Sequence, residues 1–194
     1  KRTILTGFAF LSICAFWQMY NSIVPLILTN TFHMNETYSG AIMAADNILA
    51  LFLLPLFGSI SDRTNTKIGK RMPFILFGTG LAIILMNILP IIDNSYAAAP
   101  STFKTVSFVV VLGLLLVAMG TYRSPAVALM PDITPKPLRS KGNAIINLMG
   151  ALGGVIYLGV AAVMYPNSKV AGLAHVNYQP LFIVVASIMF VAVA

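Results

Sequence analysis

Gly58-Ser59-Ile60-Ser61-Asp62-Arg63-Thr64-Asn65-Thr66-Lys67-Ile68-Gly69-Lys70-Arg71 carries the chain out of one apolar run (residues 38–60), through a short basic loop, and into another (residues 72–92). Each run has the roughly 20 apolar residues that a helix needs to cross the hydrocarbon layer of a bilayer. Working outward, four more runs qualify: residues 4–28, 106–130, 143–165 and 179–194. A lone spanning segment must satisfy its own backbone hydrogen bonds, so each run is predicted to be a helix. The short alternating segments of a membrane β-barrel are absent.

Composition agrees. Hydrophobic residues make up 58% of the 194 and charged residues 9%, against about a quarter charged in a soluble domain. Lipid is therefore the solvent for most of the surface. The net charge is +7, but its bases sit in short loops, which argues against nucleic acid. Lys1, Arg2, Arg63, Lys67, Lys70, Arg71, Lys136, Arg139 and Lys141 lie at the N-terminus or in the even-numbered loops (61–71 and 131–142). Only Lys104 and Lys169 lie in the odd-numbered loops (29–37, 93–105 and 166–178). The positive-inside rule then places both ends in the cytoplasm.

The first run is too long for a signal-peptide core of roughly 7–15 residues and reads as a retained span. Opening at Lys1 and closing inside an apolar run, the chain reads as a trimmed piece of a longer protein. Cys14 lies within an apolar run and has no second cysteine to pair with.

Charges inside the spans point to function. Asp46 sits roughly 12 Å in from one end of the second run, at 1.5 Å per residue. A carboxylate there costs about 2.5–3.5 kcal/mol, which calls for a partner, a wet cavity or a protonatable role. Ser39, Met43 and Ala50 share its helical face, and Asn47 lies beside it. Arg123 stands in Tyr122-Arg123-Ser124-Pro125 of the fourth run, where Pro125 should loosen the helix. An arginine stays charged at ordinary pH and can hold a carboxylate ionised. Asp46 with Arg123 therefore reads as a proton-coupling pair, with a static buried ion pair as the alternative. Counted from the span ends, Arg123 lies nearer the inner side than Asp46.

In the first run, Gln18 and Asn21 share a face and offer the paired donors and acceptors that suit sugar hydroxyls. Trp17 offers an apolar plate, and Asn47 and Tyr122 complete the candidate solute contacts. Interface anchoring and helix glue are the competing readings. Gly150 and Gly154, with Gly153 between them, form a G-x-x-x-G packing motif. Asp93 falls just past the third run, in the loop. His33 and His175 fall in odd-numbered loops with no metal-ligand spacing. The tripeptide Asn35-Glu36-Thr37 matches a glycosylation sequon that arises readily by chance. No phosphate loop, zinc-protease motif or nucleophile elbow appears, so nothing suggests an enzyme or a cofactor.

The loop quoted first resembles the G-x-x-x-D-R-x-G-R-R signature of the major facilitator superfamily. Five residues separate Asp62-Arg63 from Gly69-Lys70-Arg71, four more than in that signature. That longer form, running into Met72-Pro73-Phe74, resembles the glycoside–pentoside–hexuronide cation symporters and the sucrose–proton symporters. Arg123-x-Pro125-x-x-Ala128-Leu129-x-x-Asp132 resembles the corresponding stretch of the sucrose–proton branch. The resemblance implies an all-α, polytopic fold, with this chain as the first six-helix half and a second half outside it. It implies a conformational latch at Gly58, Asp62, Arg63, Gly69, Lys70 and Arg71. It also implies sugar transport, with substrate bound between the halves. Melibiose-type members carry cation-binding acids where this chain has Gln18 and Asn21, so the coupling ion implied is a proton, not sodium.

The reading that follows is a plasma-membrane symporter of a glucoside or disaccharide, coupled to protons by alternating access. Its partners would be a small sugar, the lipid bilayer and the second six-helix half. The rivals are a proton-coupled exporter of drugs or metabolites, and a membrane channel or scaffold.

Overall fold

The structure, a computed structural model, describes residues 2–67 and 69–193. It is all-helical among those residues. The helices are α1 (Arg2–Leu26), α2 (Glu36–Arg63), α3 (Met72–Ala98), α4 (Thr102–Ile133), α5 (Arg139–Met164), a single turn α6 (Asn167–Val170) and α7 (Gln179–Val193). A π-helical turn, Ile27–Thr31, extends α1, and a 3-10 turn, Lys136–Leu138, leads into α5. Five of these helices are long and apolar enough to cross a membrane, and α7 is a shorter apolar helix. The chain is an integral membrane protein.

Local chemistry explains the ends. The Asn35 side chain accepts the Thr37 N–H at 3.2 Å and caps α2, with Glu36 in the first turn and Arg63 in the last; each charge suits the helix dipole at its end. Pro25 has no N–H to give the Asn21 carbonyl, and the π-helical turn begins two residues later. Thr29 Oγ1 donates to the Pro25 carbonyl at 2.9 Å, the kind of internal repair that lets proline stand in a membrane helix. Pro125, expected to loosen its helix, lies inside an unbroken α4, as does Pro131.

The third span was read as ending at Ile92. Hydropathy drops there because Asp93 and Asn94 follow, but α3 continues to Ala98 and Asp93 is fully buried within it. Helices α4 and α5 likewise begin before residues 106 and 143. Lys1 and Ala194, counted among the bases and the sixth span, lie outside the described residues.

Helix α1 lies along α5, α3 lies along α4, α2 packs on α4, and α7 packs on α1 and α3. The core is built from Phe16, Met19, Tyr20, Met86, Leu89, Phe108, Leu112 and Phe182. Phe32 packs its ring on Tyr96 (4.4 Å) and Phe108 (4.8 Å), fastening the π-helical end to α3 and α4. Helix α2 is the exception. Only Ser39 and Ser61 are buried on it, while Ile48, Leu51, Phe52 and Leu56 stand exposed.

Lipid tails are as apolar as leucine, so helix association rests on close approach through small residues. A Cβ added at Gly153 would run into the Leu11 carbonyl, and one at Gly150 would meet Cys14 Sγ at 2.9 Å. Gly154 faces open space. The contact between α1 and α5 therefore uses Gly150 and Gly153, three apart, and not the Gly150–Gly154 pair read from sequence. Gly78 brings α3 equally close to the backbone of α4, at Tyr122 N and Ala118 O.

Gly153→Ala should lower the thermal midpoint of the protein in detergent by an amount corresponding to about 1–3 kcal/mol of overpacking. Gly154→Ala should leave it unchanged or raise it slightly. Equal effects from the two would contradict this packing.

Candidate functional site

Three of the residues singled out in the sequence meet. Asp46 of α2, Arg123 of α4 and Trp17 of α1 line one small cavity, walled by Leu49, Ala50, Leu53, Leu54, Leu116 and Gly120. Two small residues on facing helices make it possible. Gly58 sits 3.2 Å, at the Cβ position, from Ser124 Oγ, and Gly120 sits 3.3 Å from Leu53 Cβ. Ser124 Oγ then donates to the Leu54 carbonyl at 2.7 Å, tying α4 to α2 beside the cavity.

Asp46 Oδ1 is buried without a hydrogen-bond partner, and so is Trp17 Nε1. The Arg123 guanidinium lies over the Trp17 ring, 5.5 Å from its centre, a contact worth roughly 0.5–2 kcal/mol. Among the described residues Arg123 forms no ion pair with Asp46. Acid and base are thus neighbours across one cavity, with the base held on an aromatic face. The cavity has room of about 20 Å³, enough for a water and far below the few hundred Å³ of a small-molecule site.

The remaining candidates lie elsewhere. Asn21 and Asn47 are exposed, and Gln18 is half-buried. Tyr122 is fully buried. Its hydroxyl lies 2.7 Å from Ser12 Oγ and donates to the Ala9 carbonyl at 3.0 Å. The hydroxyl braces α1 against α4 and, fully buried, does not reach the cavity that holds Asp46 and Arg123.

The basic loop forms a clasp. Arg71 Nη2 pairs with Asp62 at 2.8 Å, and Arg71 Nε pairs with Asp132 at 2.6 Å. Asp62 and Asp132 sit in the last turns of α2 and α4, and Arg71 caps the start of α3. Each charge opposes the dipole at its own helix end; brought together, the three compensate one another. Gly69, at φ +112, makes the turn that presents Arg71. Arg71 is 10% exposed but its partners are 61% and 53% exposed, so the pairs contribute at most about 1 kcal/mol each. Their effect is positional. Arg63 and Lys70 are exposed and enter no ion pair among the described residues.

Sequence reasoning missed a polar cluster at the far end of α3. Asp93 is fully buried, and His175, on the connector before α7, places Nε2 3.8 Å from its Oδ2. Asn94, Asn177 and Thr31 join them. Burial first, then the neighbouring Asp93, push the Tyr178 phenol above its ordinary pKa, so it stays neutral there. No spacing signal links positions 93 and 175, and hydropathy had assigned both to loops.

The Major Facilitator Superfamily model matches residues 6–194. Sucrose transport protein SUC3 of Arabidopsis thaliana is 30% identical over 154 residues, 72% of this chain and 25% of the relative. Alpha-ketoglutarate permease of Escherichia coli is 28% identical over 180 residues, 90% and 37% respectively. General alpha-glucoside permease of Schizosaccharomyces pombe is 25% identical over 164 residues, 81% and 29%. The chain thus spans between a quarter and two-fifths of the length of these curated relatives. No solved structure matches.

Arg71→Ala should raise hydrogen exchange in residues 58–75 while lowering the thermal midpoint by only about 2–4 °C, as expected for exposed pairs. Unchanged exchange in that segment would show that the clasp does not hold the three helix ends together.

Proposed function

The chain belongs to the Major Facilitator Superfamily, and on that premise we propose that it forms the first half of a proton-coupled sugar transporter working by alternating access. One observation carries the reading. A buried carboxyl oxygen of Asp46, without a partner, shares a water-sized cavity with Arg123. We assign the carried proton to this carboxyl group. An arginine that swings from Trp17 towards it would make the ionised form favourable and release that proton. Proton binding and helix movement are then one event.

The cavity has no room for a sugar. The proposed solute site is the open face of the half, where a second half would close over Asn21, Asn47 and Gln18, with Trp17 behind them. The names of the sucrose and alpha-glucoside relatives support a glucoside or disaccharide. Sodium fits poorly: the cavity offers one carboxylate, a repelling guanidinium and apolar walls, not a set of oxygen ligands. The Arg71 clasp would hold one of the two alternating states. We place the protein in the plasma membrane with both ends of this half in the cytoplasm, following the bias of the loop bases.

A second reading draws on the alpha-ketoglutarate permease. Because Arg123 pairs with no carboxylate among the described residues, it could hold an organic anion instead.

Uptake of labelled sugars and of a labelled dicarboxylate by the intact protein in vesicles, with and without an acid-outside gradient, separates the two. We expect gradient-driven sugar uptake. Asp46→Asn should cut that uptake roughly tenfold or more, about 1.4 kcal/mol, while sparing sugar exchange without a gradient. Undiminished gradient-driven uptake in Asp46→Asn would refute the proton role, and uptake of the dicarboxylate alone would refute the sugar.

A further inference from the structure

The cluster around Asp93 lies roughly 31 Å along α3 from the Arg71 clasp, at 1.5 Å per residue. It joins the end of α3, the π-helical end of α1 and the connector that enters α7. Neither the cavity at Asp46 nor any part of the proposed transport route uses it.

Its hydrogen bonds fix where a proton can go. The Gln179 backbone N–H can only donate, and it reaches Asn177 Oδ1 at 2.9 Å. That atom is therefore an acceptor, so the Asn94 atom 2.9 Å from it is the donor, Nδ2. The opposite atom of Asn94, Oδ1, then faces His175 Nε2 at 2.8 Å. An amide oxygen only accepts, so Nε2 carries a hydrogen in every protonation state. The other ring nitrogen, Nδ1, faces Thr31 Oγ1 at 3.4 Å. A hydroxyl can donate to the neutral ring and accept from the charged one, so the site accommodates both.

Asp93 supplies the counter-charge. Its side chain is fully buried, neither carboxyl oxygen makes a hydrogen bond of ordinary geometry, and the Thr31 hydroxyl and His175 are the nearby groups that favour its charged form. Ionised beside a neutral imidazole, it would be an uncompensated charge in the interior. One proton removes the problem, whether it rests on His175 and makes an ion pair or on the carboxyl group itself. The other titratable groups facing the pair are Tyr178, before α7, and Tyr165, after α5, whose rings lie 5.4 Å apart. Both phenols are pushed above their ordinary pKa, chiefly by burial, so they take no part near neutral pH. Lys104 is occupied with the carbonyls of Ser95 and Ala99 that end α3.

We propose that Asp93 and His175 form a second proton-binding site, distinct from Asp46, whose single shared proton clasps the α5–α7 connector to the end of α3. On this proposal the proton belongs to the folded pair, because the buried Asp93 has its counter-charge only when the proton is present. Stability therefore falls as pH rises and the proton leaves, the sign that linkage requires when the native state binds more protons. A loss of the clasp frees residues 171–178 and the entry to α7.

The test uses the intact protein in detergent and needs no transport, so its failure would leave the Asp46 reading untouched. Thermal midpoints are compared at about pH 5.5 and about pH 8.5, either side of the ordinary histidine range. The wild type should lose roughly 3–6 °C more than Asp93→Asn over this interval. Independently of any variant, residues 171–178 of the wild type should show hydrogen-exchange protection at the lower pH. Corrected for intrinsic rates, that protection should disappear at the higher pH. Equal pH dependence in wild type and Asp93→Asn, or unchanged protection at both pH values, would overturn the proposal.

Discussion

Lipid offers no hydrogen bonds, and that constraint governs this molecule. Each polar group buried among its helices must find a partner within the chain or stand as a marked exception. Most find one. Ser12, Tyr122 and the Ala9 carbonyl close on one another between α1 and α4. Ser124 closes on Leu54 between α4 and α2. Against that background the acids with buried oxygens left unpartnered, Asp46 and Asp93, stand out. Each has one basic side chain nearby, Arg123 across a cavity and His175 at 3.8 Å.

The same solvent shapes the packing. Burying leucines gains little when the alternative is lipid, so the bundle relies on backbone approach at Gly78, Gly150 and Gly153. These contacts make two tight pairs, α1 with α5 and α3 with α4. Helix α2 is held to α4 more loosely, by Ser124, Gly58 and the Arg71 clasp. It is also the helix that carries Asp46. The proposed proton carrier therefore lies on the least buried of the long helices, fastened at one end by exposed ion pairs.

The charge placement follows one rule at three places. Asp62, Asp132 and Arg71 each oppose their local helix dipole, and their adjacency offsets that modest cost. Separating the helix ends would leave all three uncompensated.

Much of this was legible in the sequence, because a membrane imposes a length and a polarity on each span. Hydropathy alone identified the apolar runs, and the rarity of charge within them singled out Asp46 and Arg123. Helix ends were less legible: Asp93 looks like a loop residue by polarity, and only packing reveals that α3 carries it inside. The partners of Tyr122, Ser12 and Ala9, are more than a hundred positions away and leave no trace in the local sequence. Gly153 and Gly154 are indistinguishable as letters, and only the position of Leu11 separates them. The sequence by itself determined where the apolar runs lie and which residues are too polar to sit in them without a reason. The tertiary structure alone decided which of those met, because helices have no sequence-local record of their neighbours across lipid-packed faces.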